Sequence, residues 1–232
     1  MWAEDLEKEY KKNLFTRAIT ALAIALPIIL IILIENFWLF SVTISVICLF
    51  GYYEWVTNKF RHPLLWGFNL IFSYFLLLII LTAGNFIFKE ASEEPILSFY
   101  YIFLLSLFNT AIFDTSAYIT GSSIGKNPIA PKISPNKTWE GLVGGLIGSI
   151  IFSIFVIKFF DLSLWLTLVY FLGSILAFVG DLLISFHKRE KNIKDTGTLL
   201  PGHGGVLDRL DSHLLATPIT VILTILLAWK IS

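Results

Sequence analysis

The sequence predicts an all-α fold: a polytopic integral membrane bundle of about seven transmembrane helices, with its polar active loops on the cytoplasmic side. Three observations carry that expectation. The mean hydropathy is +0.78 and 56% of the 232 residues are hydrophobic, too apolar for a chain that folds in water. Apolar runs recur at roughly 16–35, 37–56, 64–84, 96–120, 139–160, 162–186 and 213–231, each long enough to cross a hydrocarbon core of about 30 Å. Finally, of the 17 Lys and Arg, all but Lys89, Lys158 and Lys230 fall in one alternate set of polar segments. That bias places the N terminus and both long polar loops in the cytoplasm.

No polar stretch is long enough for a separate soluble domain, so residues 1–232 are read as one membrane domain. The formal charge is zero, and no global field recruits nucleic acid. The single cysteine, Cys48, excludes an intrachain disulfide or a multi-cysteine metal site.

Taken in order, Trp2, Leu6 and Tyr10 repeat every four residues in a charged segment, which predicts a short helix on the membrane surface. The first apolar run is too long for a cleavable signal and reads as an anchor, with Glu35 at its outer boundary. Glu54, between Tyr53 and Trp55, reads as a structural residue of an interfacial belt, and His62 carries no signal. Asp114 falls in the inner half of the fourth run, where a carboxylate is costly unless it faces a wet or cationic site. The segment Lys126 to Glu140 follows, with Pro128, Pro131 and Pro135 keeping it from being helical before Thr138. Lys132 and Lys137 supply cations there, and Ser134 and Thr138 supply hydroxyls ahead of a helix start that favours anions.

Gly141, Gly144, Gly145 and Gly148 give small-xxx-small spacing in the fifth run, a pattern for close helix packing. Asp181 lies in the inner third of the sixth run. The most polar stretch, Ser185 to Asp211, carries Lys188, Arg189, Lys191, Lys194 and Arg209 beside Asp195, Asp208 and Asp211, with Gly202, Gly204 and Gly205 around His203. Glycines let backbone approach a ligand, cations meet phosphates, and carboxylates hold a bridging divalent ion. With a helix starting near Leu207, Asp208 and Asp211 share one face. Asp114, Asp181, Asp208 and Asp211 then converge on the cytoplasmic side, which implies metal. The last run carries Pro218, and His213 reads as structural.

Two strings in this chain resemble the phosphatidate cytidylyltransferase (CDP-diacylglycerol synthase) family. One is Lys188-Arg189, Lys194-Asp195, Gly197, Pro201, His203-Gly204-Gly205 and Asp208-Arg209-Leu210-Asp211; the other is Asp114-Thr115 through Ser134-Pro135 to Lys137-Thr138-Trp139-Glu140-Gly141. His187 stands where the family usually has an apolar residue. The resemblance covers residues 109–216, leaves 1–108 without a motif, and implies that CTP and phosphatidate react to CDP-diacylglycerol and pyrophosphate. It implies catalytic roles for Asp208, Asp211, Lys137 and Arg209. Substrate contacts would come from Asp114, Lys132, Ser134, Thr138, Lys188, Arg189, Lys194, Asp195, His203, Gly204 and Gly205. Mg²⁺ would sit on Asp181, Asp208 and Asp211, with room for a second cation. A homodimer in a prokaryotic plasma membrane, with the bilayer as a further partner, completes the expectation.

Two other enzymes suit similar loops: a CTP-dependent polyprenol or phytol kinase, and a synthase of CDP-activated isoprenoid lipid. From another class, an ion transporter also uses membrane carboxylates, but the outer segments here are nearly featureless.

Overall fold

The computed structural model describes residues 23, 25–67, 69–79, 98–200 and 204–231. The expected surface helix at 1–15, Lys89 and His203 lie outside them. Two helices, α1 (Ala25–Ile34) and α2 (Phe37–Thr57), are followed by a π-helical turn at Pro63–Gly67 and by α3 (69–79). Then come α4 (Phe99–Ile124), a hairpin of β1 (Pro128–Ala130) and β2 (Ser134–Thr138), α5 (Trp139–Phe160) and α6 (Trp165–Glu190). A single helical turn, α7 (Leu207–Leu210), precedes α8 (His213–Ile231).

Among the described residues, α2, α4, α5 and α6 are long and apolar enough to cross a membrane, while Ala25–Ile34, Pro63–Ile79 and His213–Leu227 are shorter apolar helices. Within the described residues, four of the seven expected runs are seen as helices long enough to span. The bundle wears its apolar side chains outside: Trp38, Ile151, Phe159 and Trp165 are exposed, an arrangement suited to lipid rather than water.

The glycine stripe packs as its spacing predicts. A Cβ at Gly145 would lie 2.6 Å from the Phe113 ring, and Gly144 and Gly148 are equally tight against Thr120 and Ser116. This brings α5 against α4. A polar knot joins α6 to the same pair: Ser149 Oγ donates to Asn109 Oδ1 (2.6 Å), and Asn109 Nδ2 donates to the Tyr170 carbonyl (3.1 Å). Buried polar groups matched this way fix helix register where apolar side chains alone would slide. On the other side, one apolar core runs from Phe40, Ile44 and Trp55 to Ile184, Leu207, Leu214 and Val221, so α2 is packed against the end of the chain.

Candidate active site

The prolines of the first loop exclude a helix, and its backbone pairs instead as an antiparallel hairpin, Pro128 with Thr138 and Ala130 with Ser134. Thr138 ends the hairpin and starts α5, its hydroxyl accepting from Gly141 N at 3.1 Å. Glu140 reaches back to accept from Lys126 N, Asn127 N and Asn127 Nδ2 at 3.2, 3.3 and 2.6 Å. Lys137, at the inner end of β2, therefore faces α6: its ammonium lies 2.6 Å from Asp181 Oδ2 and 5.4 Å from the Phe178 ring centre. Ser185 Oγ donates to the other Asp181 oxygen at 3.2 Å.

The second loop begins where α6 ends. His187 does not face the site; it is buried against Trp55, Phe60 and Phe186, with Nδ1 2.8 Å from the Leu183 carbonyl. An aromatic cage accepts an imidazole where the resembled family uses an apolar residue, and Lys188 turns the other way. Lys188 Nζ meets Asp208 Oδ1 at 2.7 Å. The second Asp208 oxygen accepts from Thr196 N (2.7 Å), Gly205 N (3.0 Å) and Thr196 Oγ1 (3.1 Å). Burial alone would raise the Asp208 pKa, but Lys188 and the two amides outweigh it and hold the carboxyl below its ordinary range. Gly204 has φ +80° beside this carboxylate, a conformation that suits glycine.

The two loops meet. Arg189 Nε donates to the Ile133 carbonyl of the hairpin at 3.1 Å, and Lys137 of the hairpin pairs with Asp181 of α6. Asp114 lies near Ser212, Asp181 and Lys137. Burial and the charge of Asp181 push the Asp211 carboxyl well above its ordinary pKa, only partly offset by Lys188. The patch thus sets Asp114, Asp181 and Asp211 within reach of one another's charge.

Asp114, Lys137, Asp181, Lys188, Arg189, Asp208 and Asp211 are brought together, with Ser134 and Thr138 on the adjoining strand. Gly204 and Gly205 turn beside Asp208. Lys132, Lys194, Asp195 and Arg209 are exposed. Among the described residues no three carboxylate, imidazole or thiol side chains gather at ligand spacing for a metal. The expected metal trio is divided: Asp208 is engaged by Lys188 and loop amides, whereas Asp181 and Asp211 act on one another. Hard oxygen donors such as these fit Mg²⁺, which takes one or two carboxylates and completes its shell with water and substrate phosphates.

Sequence reading missed three participants. Glu54, Asn58 and Thr196 form the support of the second loop: Thr196 Oγ1 donates to Glu54 Oε2 at 2.7 Å, and Asn58 Nδ2 donates to the Thr196 carbonyl at 2.6 Å. The one available signal was the cost of an acid between aromatic residues in an apolar run.

Residues 71–227 match the cytidylyltransferase family. The chain is 50% identical over 115 residues to a phosphatidate cytidylyltransferase of Staphylococcus haemolyticus, covering 48% of this chain and 44% of that protein. It is 40% identical over 145 residues to that of Staphylococcus aureus, 61% of this chain and 54% of the relative. The staphylococcal matches thus span about half the length of those relatives. A phosphatidate cytidylyltransferase of Rickettsia typhi is 32% identical over 228 residues, 93% of both chains.

Proposed function

The chain belongs to the cytidylyltransferase family, and from that membership we propose that it transfers the cytidylyl group of CTP to phosphatidate, forming CDP-diacylglycerol and pyrophosphate. The observation that carries this reading is the joining of two distant basic loops at one carboxylate patch, through Lys137 with Asp181 and Arg189 with Ile133. In the reaction a phosphatidate oxygen attacks the α-phosphorus of CTP, a new P–O bond forms, and the bond to the β-phosphate breaks with its electron pair leaving on pyrophosphate. Phosphatidate is already ionised, so no strong general base is required; neutralising and aligning two anions is the task.

Lys137 and Lys188 supply the cations. Lys188 and Asp208 are 12% and 3% exposed, against 18% and 28% for Lys137 and Asp181. Breaking a buried pair costs about 3–5 kcal/mol, and Lys137–Asp181 is the less buried of the two. Lys137 is therefore the readier of the two to exchange its carboxylate for a substrate phosphate, and Lys188 holds the loop. Ser134 and Thr138 retain hydroxyl protons for phosphate oxygens, and the exposed Lys132, Lys194 and Arg209 draw in the triphosphate. Asp181 and Asp211 would hold Mg²⁺, which when bound supplies charge neutralisation at the transferring phosphate. Asp208 serves that ion by fixing the loop unless it gives up Lys188.

The reading places both loops in the cytoplasm, where CTP is, and the phosphatidate headgroup at the membrane surface beside them; the distribution of Lys and Arg supports that side. A homodimer belongs to the same proposal. The test is purified protein in detergent with phosphatidate, Mg²⁺ and CTP labelled at either the α- or the γ-phosphate. Label from the α-phosphate enters lipid if the proposal holds; label from the γ-phosphate alone would make the protein a CTP-dependent lipid kinase.

A further inference from the structure

Glu54 lies on α2, outside both motif strings and outside residues 71–227 that match the family, yet its carboxylate ends inside the glycine-rich loop. Oε1 accepts from Val206 N at 2.9 Å. Oε2 accepts from Leu207 N at 2.9 Å and from Thr196 Oγ1 at 2.7 Å. The residue is 6% exposed, and a Cβ at Gly197 would lie 2.8 Å from Oε1, so the loop closes around the carboxylate without space to spare. One helical turn on, Asn58 takes the Thr196 carbonyl.

A carboxylate this deep is costly unless donors replace its water. Here the donors come from both arms of the loop: Thr196 on the way out, Val206 and Leu207 on the way back. The Thr196 hydroxyl also lies 3.1 Å from Asp208 Oδ2; with a single proton it serves one carboxylate at a time, so Glu54 and Asp208 are bound into one network. Asp208 follows directly in the chain from the two amides that Glu54 holds, and Asp211 comes three residues later.

We propose that Glu54 is a positioning residue for the cytidylyl transfer: a strut from the N-terminal helices that sets the place of Asp208 and Asp211 by closing the loop through Thr196, Val206 and Leu207. This rests on the reading of that loop as the CTP site. In full-length purified protein, Glu54→Gln keeps the volume but turns an amide NH₂ toward a backbone donor. It lowers kcat by about 10²-fold, as a misplacement of about 1 Å does, leaves the KM for phosphatidate within about twofold, and speeds hydrogen exchange at Thr196, Val206 and Leu207. Thr196→Ser, which keeps the hydroxyl, retains near-normal turnover, whereas Thr196→Val loses part of it; the Thr196 pair decides the matter alone if Glu54→Gln does not fold. Turnover within twofold in Glu54→Gln, lowered turnover with unchanged exchange, or equal effects of Ser and Val at position 196 would overturn the strut. If the wild-type protein turns over no CTP, the functional reading fails, and the exchange comparison still decides whether Glu54 orders the loop.

Discussion

The hairpin loop between α4 and α5 and the glycine-rich loop between α6 and α8 bring cations to the same patch, yet they are held by different means. The hairpin supports itself: its strands pair with each other, and Glu140, 14 and 13 residues away, caps Lys126 and Asn127. Among its described residues the glycine-rich loop has one isolated pairing, Leu200 with Gly204, and leans on Asp208 within it and on Asn58 and Glu54, 138 to 153 residues away. A loop that must approach a ligand with bare backbone gives up the side chains and strand pairing that would hold it. Its order is then imported from a neighbouring helix. The N-terminal half of the chain has a role here that its own local pattern does not disclose.

The largest expected effect comes from the centre of the patch. Asp211→Asn keeps the shape and removes the ionisable carboxyl, and should lower turnover by about two or more orders of magnitude while leaving the fold intact; steady-state kinetics beside a thermal unfolding curve separate the two. Near-normal turnover would remove Asp211 from the chemistry. A smaller loss is expected where the hairpin touches α6. Lys137→Arg keeps the positive charge but replaces a compact ammonium with a larger planar fork between Asp181 and Phe178, which moves the charge from its place, so turnover should fall about tenfold, and further in Lys137→Gln. Wild-type kinetics in both variants would reduce Lys137 to a topological charge. The smallest effect belongs to Glu140→Gln. Because the hairpin keeps its own strand pairing, losing part of an exposed cap should change turnover by less than about twofold. A loss as large as that expected at Glu54 would erase the contrast between a self-supporting and a clamped loop.

Much of this arrangement is legible in local pattern. The prolines at 128, 131 and 135 deny a helix, and α5 starts at Trp139 just after its Thr138 cap, as the order of residues predicts. Gly141 to Gly148 meet α4 because small residues at that spacing allow backbones to approach. The convergence of Asp114, Asp181 and Asp211 follows from helices that end on one side of a bundle. What local pattern hides is pairing across the fold. Glu54 sits among Tyr52, Tyr53 and Trp55 as a belt residue would, and the identity of its donors is written in residues 196 to 207. Lys188 and Asp208 each read as a free ligand group, and their mutual neutralisation appears only once α6 and α7 are folded together. Among the described residues Ala25–Ile34 lies within the first expected apolar run and α8 within the last, so the position of these helices was legible in hydropathy.

The central claim is that the two loops form one ligand site, and paired thiol protection tests it most directly. Ser134 on the hairpin and Thr198 on the glycine-rich loop are replaced singly by cysteine in a Cys48→Ser background, Cys48 being buried, and the rate of maleimide labelling is measured with and without CTP and Mg²⁺. One shared site predicts that both positions react in the free protein and that both are protected over the same range of CTP concentration. Protection of one position while the other labels at its free rate would contradict the account.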